Sequence, residues 1–286
     1  MVSRARIPHR LKLRDGRILE FPLVMAVLNV TPDSFSDAGQ FLDPERALEH
    51  ALAMEAAGAG IIDVGGESTR PVGARTVLAA EELARVTPVL ELLERRLRVP
   101  VSIDTRKAVV AELALRHGAA LINDVSALSA DSAMAPLARR TGCVVILMHM
   151  RGGPENHARL TRYRDVVAEV RAYLRARARF AEQRGISPRR IIVDPGLGFA
   201  KTARHNLLLL SGLYRICALG YPVLIGASRK RFVRQIAGEG PREVLAGNTA
   251  VNALAIAHGA SIVRAHDTAE TVAAMKIATA VVRGRS

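Results

Sequence analysis

The sequence predicts an α/β protein, a (β/α)8 barrel with an N-terminal β-hairpin, and three observations carry that prediction. Eight short apolar runs rich in Val and Ile follow one another along 286 residues. Helical patterns separate them, and no composition break or linker interrupts the alternation. Runs of strand length without strict polar alternation suit parallel strands buried on both faces. Repeated strand–helix units of this number close into a barrel of about 250 residues. A doubly wound sheet is the alternative, but eight repeats and the absence of G-x-G-x-x-G after the first strand count against it. The chain reads as a single domain over 1–286, with the hairpin at about 10–21 and the barrel at about 22–285.

The elements follow in order. LKLRDGRILEF sets Asp15-Gly16 between two alternating segments, a hairpin signal, and the hairpin is expected to plug the N-terminal mouth of the barrel. The first barrel strand lies in PLVMAVLN. A helix over 43–58 then opens on Asp43-Pro44, an N-cap followed by Pro at the first helical position, and stops near Gly58. AGIIDVGG leads to a helix over 79–97, VPVSID to 106–117, and AALIND to 131–141. CVVILMHM precedes a helix over 163–184 whose outer face is heavily basic and which ends at Gly185. RIIVDPG leads to 202–219, YPVLIGAS to 241–259, and SIVRAHD to 267–283.

Composition narrows the function. At 49% apolar the chain can bury one large core. Forty-one Lys and Arg against twenty-seven Asp and Glu give a net charge of +14, carried overwhelmingly by Arg; it reads either as Arg in place of Lys on solvated helix faces or as an attraction for anionic ligands. Aromatic residues are only 3%, Trp is absent and the basic residues are scattered, which excludes nucleic acid as the expected partner. No apolar run approaches the roughly 20 residues of a membrane span, and MVSRARIPHR begins no secretory signal, so no membrane is expected. Cys143 and Cys217 read as small buried hydrophobes of a reducing compartment, and the expected location is the cytoplasm.

In a barrel of this kind the active site lies at the C-terminal strand ends. Those ends carry Asn29, Asp63, Asp104, Asn123, His149, Asp194, Ser228 to Lys230, and Arg264 with His266. Each alone is ordinary. A strand-end Asp commonly caps the next helix, as Asp43 and Asp267 are expected to do, His149 suits a satisfied core position, and Arg264 could pair with a nearby Asp. Polar groups at all eight ends are another matter, because their convergence costs desolvation unless a ligand, an ion or one another satisfies them. Asp104, Asn123, Asp194 and Lys230 suit a flat heterocycle with alternating donors and acceptors. Asn29, Thr69, Arg70, Arg264 and His266 suit an anion, with Asn29 and loop carboxylates able to reach a Mg2+ shared with phosphates. DPGLGFAKT is a decoy: a phosphate loop needs Gly where this chain has Pro195 and Ala200.

Taken together, NVTPDSFSD at 29–37, IIDVGGESTRP at 61–71, SIDT at 102–105, IND at 122–124, MHM at 148–150, DPGLGF at 194–199, SRK at 228–230 and RAHD at 264–267 resemble the dihydropteroate synthase family from about residue 22 onward. The resemblance implies a TIM barrel that is usually a homodimer. It implies condensation of 6-hydroxymethyl-7,8-dihydropterin pyrophosphate with 4-aminobenzoate to give 7,8-dihydropteroate and pyrophosphate, with Mg2+. By similarity Asp104, Asn123, Asp194 and Lys230 hold the pterin. Thr69, Arg264 and His266 take the pyrophosphate, and Asn29 ligates the metal. Met148 belongs to the substrate-binding set, and Phe199 lies against the aminobenzoate ring. Arg70 and the loop around Pro32 and Asp33 close over that substrate. The implied catalytic set is Asp33, Arg70, Asp104, Lys230, Arg264 and His266.

Three positions depart from the family pattern. Arg231 stands where Ser usually follows SRK, Val72 where Gly usually follows Pro71, and HMRGGPENH replaces the usual Thr-Pro continuation. Arg231 either pairs with the aminobenzoate carboxylate or turns to solvent. The alternatives are a pterin-binding paralogue with weak or altered use of the second substrate, and the related barrel of pterin-dependent methyltransferases, which lacks the SRK and pyrophosphate signatures.

Overall fold

The structure is a computed structural model that describes residues 10–31, 43–67, 77–152 and 159–284. The chain opens with the antiparallel hairpin β1 (Arg10–Lys12) and β2 (Ile18–Glu20), paired in the register Leu11 to Leu19. Eight parallel strands follow: β3 (Leu23–Asn29), β4 (Ile61–Gly65), β5 (Val101–Asp104), β6 (Leu121–Asp124), β7 (Val144–Met148), β8 (Ile191–Asp194), β9 (Leu224–Gly226) and β10 (Ile262–Ala265). They pair in chain order, and β10 returns to β3, so the sheet curls into a barrel. The seam between β8 and β9 closes through the single bridge Val193 to Val223.

Ten α-helices are found among the described residues: α1 (Pro44–Ala56), α2 (Ala79–Arg96), α3 (Ala108–Arg116), α4 (Met134–Thr141), α5 (Val166–Gln183), α6 (Ala203–Ser211), α7 (Leu213–Cys217), α8 (Arg231–Ala237), α9 (Pro241–Ala257) and α10 (Thr268–Arg283). Asp43 caps α1 as expected, its carboxylate accepting from the Glu45 and Arg46 amides. Two expectations are corrected. The helix expected over 202–219 breaks in two at Gly212, which packs so tightly that a Cβ there would lie 3.1 Å from Val167 Cγ2 on α5. Asp267 occupies the cap position of α10 but makes no side-chain cap bond; its carboxylate instead bonds Arg229, at 2.8 Å, and Asn248.

The period of two along each strand divides the apolar residues between two cores. Outward positions such as Val24, Ile62, Ile103, Val145 and Val263 form the main core beneath the helices. Inward positions at the lower ends, such as Met25, Ile61, Leu121, Ile146 and Ile262, form a second buried cluster that also holds Leu11, Leu13, Leu19 and Phe21. The hairpin therefore plugs the N-terminal mouth, as its alternating pattern predicts.

Candidate active site

Moving two residues further along the inward rows reaches polar side chains. Met25 and Val27 lead to Asn29, and Ile61 to Asp63. Ser102 leads to Asp104, Leu121 to Asn123, Ile192 to Asp194, and Ile262 to Arg264 and then His266. The ladder sets Val27 opposite Asp63, Asp104 opposite Asn123 and Met148 opposite Asp194, which places these groups on one interior rim. The apolar lower cluster lies beneath this rim.

Arg264 is the hub of the rim. Its Nε donates to Asp63 Oδ2 at 2.6 Å and its Nη2 to Asp104 Oδ2 at 2.9 Å. Asn123 Nδ2 donates to the same Asp63 oxygen at 3.0 Å, while the buried Asp63 Oδ1 has no partner among the described residues. Burial pushes the Asp104 carboxyl up to about 7, a rise that Asp63 reinforces and Arg264 opposes. Burial also opposes the charge on Arg264, yet Asp63 and Asp104 outweigh it and raise the guanidinium further. The expectation that Arg264 could pair with a nearby Asp is met twice over.

Asp194, Lys230 and Phe199 form a second group. Asp194 Oδ1 accepts from the Gly196 amide at 2.7 Å, and burial lifts its carboxyl to about 6. Gly196 is at φ 67, and a Cβ there would fall 2.1 Å from the His149 carbonyl oxygen, so no other residue fits this turn. Lys230 Nζ stands 4.0 Å from the centre of the Phe199 ring, and burial draws its ammonium down to about 8. Val125, Met148, Met150 and Phe199 make a small apolar cluster beside these polar groups. Flat rings fit such a wall, with polar edges toward Asp194 and Lys230.

His266 and Ser228 meet at the mouth, where His266 Nδ1 lies 3.1 Å from Ser228 Oγ. Burial first, and the neighbouring Arg264 next, hold the imidazole down to about 3, so it is neutral near pH 7. His149 is a satisfied buried residue: Lys201 Nζ lies 2.9 Å from its Nδ1, and burial holds it down to about 2. Arg231 is exposed at the first position of α8.

Asn29, half-buried at the end of β3, bears on the expected Mg2+. A Cβ at Gly65 would lie 3.9 Å from both Asn29 Oδ1 and Asp104 Oδ2, so these two oxygens border the same glycine. No group of three His, Cys, Asp or Glu able to hold a metal occurs among the described residues. This donor set does not make a cage, but it fits a hard cation that takes one or two protein oxygens and completes its shell with phosphate and water.

Asp33, Thr69 and Arg70 lie outside the described residues, as do Pro32, Val72 and most of HMRGGPENH. The base of the segment carrying Thr69 and Arg70 is defined. Glu67 Oε1 accepts from the Val77 amide at 3.4 Å and from Arg106 at 3.2 Å, and its Oε2 accepts from Lys107 at 2.7 Å. Lys107 also bonds the fully buried Glu82. One carboxylate thus ties the two ends of that segment together.

Sequence reasoning places Asp63 and Ser228 among the polar strand ends without giving either a specific role, and it does not single out Lys201 or Glu67. The signal for Lys201 is a lysine in an apolar loop, in DPGLGFAKT.

An α/β barrel whose upper rim alternates buried acids, an amide and cations beside an aromatic wall is a barrel for binding a pterin-like heterocycle. The chain matches the family model described as pterin binding enzyme over residues 25–266. It is 48% identical over 261 residues to dihydropteroate synthase of Mycobacterium leprae, covering 89% of this chain and 91% of that one. The structure of Xanthomonas albilineans dihydropteroate synthase with 4-aminobenzoic acid superposes with a TM-score of 0.88 at 44% identity, covering 96% of this chain and 98% of the other. The same enzyme in complex with 7,8-dihydropteroate gives 0.84 at 41% identity, covering 95% and 98%. The chain belongs to the dihydropteroate synthase family and is a transferase of folate biosynthesis.

Proposed function

We propose that this chain joins 6-hydroxymethyl-7,8-dihydropterin pyrophosphate to 4-aminobenzoate through the residues of this rim. The observation that carries the assignment of roles is the Arg264 hub, which sets a cation, two buried carboxylates and an amide within hydrogen-bond reach of one another at the strand ends. Asp194, Asn123 and Asp104 offer the acceptors and the amide donor that an aminopyrimidine edge requires, and Lys230 offers a donor over the Phe199 face.

The amine nitrogen of 4-aminobenzoate attacks the pterin methylene carbon. The new C–N bond forms as the C–O bond to pyrophosphate breaks, the bonding pair leaves with pyrophosphate, and the nitrogen releases a proton. Arg264 faces the developing negative charge and His266, neutral near pH 7, offers a hydrogen bond to it. In their ionised forms Asp104 and Asp194 favour positive charge spreading into the pterin. Asn29 would hold Mg2+ against the pyrophosphate, where the ion supplies charge neutralisation to the leaving group. Thr69 belongs with the pyrophosphate, and Asp33 and Arg70 with the second substrate, in this reading.

Purified protein should convert the two substrates to 7,8-dihydropteroate, with the rate falling on chelation of Mg2+. Pterin binding without product would instead support a paralogue with altered second-substrate use, a reading motivated by Arg231 in place of the family's Ser. The protein acts as a homodimer in the cytoplasm in this reading. Leu254, Ile277 and Val281 stand 54%, 69% and 75% exposed on the neighbouring helices α9 and α10, an apolar face suited to a second copy. Cys143 and Cys217 are both free and buried, as a reducing compartment allows. No helix of the described residues is long and apolar enough to cross a membrane.

A further inference from the structure

Lys201 takes no part in the chemistry above, yet it is 8% exposed and sits directly behind the aromatic wall. Its Nζ lies 2.9 Å from His149 Nδ1, 2.9 Å from the Phe199 carbonyl oxygen and 3.5 Å from the His149 carbonyl oxygen. Three acceptors match the three N–H bonds of an ammonium, which is what a buried cation requires. The acceptors come from two strand ends, His149 after β7 and Phe199 in the turn after β8.

His149 is a fixed partner. With Lys201 as the donor, its neutral ring presents the Nδ1 lone pair and carries its proton on Nε2, and it packs edge-on to Tyr173 at 4.8 Å between centres. Its own amide donates to Asp194 O at 2.8 Å, so the β7 end and the β8 end are already joined beneath the lysine. The next link is strained. Ala200 sits at φ 51, a left-handed conformation that a residue with a Cβ adopts at a cost, and it lies between Phe199 and Lys201. The bond from Lys201 Nζ back to Phe199 O spans that link and fixes the Phe199 backbone. The Phe199 ring is then set beneath Lys230 and against Met148.

We propose that Lys201, anchored on His149, is a positioning residue that sets the Phe199 ring as the wall for the aryl ring of the second substrate. The proposal rests on the reading of this rim as the site for 4-aminobenzoate. Met at position 201 keeps the aliphatic length and removes every donor. In the full chain, Lys201→Met should raise the Michaelis constant and the dissociation constant for 4-aminobenzoate by about tenfold, while kcat and the constant for the pterin pyrophosphate change by less than about threefold. In a Phe199→Ala background the same change should add less than about twofold, because the lysine acts through that ring. His149→Leu should reproduce the Lys201→Met phenotype, and His149→Gln, which keeps an acceptor, should rescue it; this pair decides the matter if Lys201→Met fails to fold.

Equal losses for both substrates, or full additivity with Phe199→Ala, would overturn the positioning role. An active wild type with unchanged aminobenzoate constants in Lys201→Met would sink this proposal alone. No product from wild type, with aminobenzoate affinity still falling in Lys201→Met, would sink the reaction assignment and leave the positioning role standing.

Discussion

Asp194→Asn should stabilise the ligand-free protein and weaken it as an enzyme, and the size of the first effect follows from the carboxyl's position. Burial lifts Asp194 from 3.8 to about 6. At about 1.4 kcal/mol for each tenfold change in the protonation equilibrium, holding that carboxylate ionised in the fold costs about 3 kcal/mol above pH 6. Because the folded value is raised, the folded state binds the proton more tightly than the unfolded chain. The contribution is therefore fully present below pH 3.8 and lost as pH rises through about 6. Asn does not titrate, and its Oδ1 can still accept from the Gly196 amide that Asp194 binds at 2.7 Å. Urea unfolding of both proteins without ligand should show a gap in favour of the variant that grows from near zero at about pH 4 to about 1–3 kcal/mol at pH 8. Calorimetric titration with the pterin substrate should show the variant binding about ten- to hundredfold more weakly, since one charge-assisted hydrogen bond is lost. A gap that stays constant with pH would refute the burial argument, and unchanged affinity would remove Asp194 from the pterin edge.

Arg264→Ala leaves Asp63 and Asp104 buried without their cation, so a loss of about 3 kcal/mol in unfolding free energy is expected together with a selective loss of affinity for the pterin pyrophosphate over the pterin alcohol. Equal loss for both ligands would exclude Arg264 from the anion. His266 is neutral above about pH 3, so the ratio of pyrophosphate affinities between wild type and His266→Gln should stay flat between about pH 5.5 and 8; a step near pH 6.5 would show that the imidazole titrates in the site. Arg231→Ala should change the Michaelis constant for 4-aminobenzoate by less than about threefold, because Arg231 is exposed on α8 and helical neighbours diverge by about 100° from Lys230. A tenfold rise would establish direct pairing with the carboxylate.

The barrel was legible because its signal is local. Each apolar run and each cap, such as Asp43 before Pro44, states its element without reference to distant residues. The rim was legible as a set of strand ends for the same reason, and Asn29, Asp104, Asn123, Asp194 and Arg264 all lie where the pattern puts them. What sequence could not express is which polar groups choose one another. Asp63 and Arg264 are two hundred and one residues apart, and only closure of the barrel brings their side chains to 2.6 Å. Asp267 misled for a related reason: a cap position predicts a cap bond, but Arg229 and Asn248 compete for the same carboxylate across a tertiary contact. Lys201 was hidden because burial of a lysine depends on acceptors from two separate strand ends.

The seam at Val193 and Val223 gives the cylinder a built-in direction of opening. Every other pair of neighbouring strands is laced by a ladder of several residues, whereas β8 and β9 share one bridge. A breathing motion of the barrel therefore has its least resistance along that line, and backbone amides flanking it should exchange with solvent sooner than those of β4 or β5. Asp194 terminates one bank of the seam, and Lys230 follows the strand on the other. A bound heterocycle that touched both would act as a staple, so occupancy of the site should be readable as slowed exchange at Val193 and Val223.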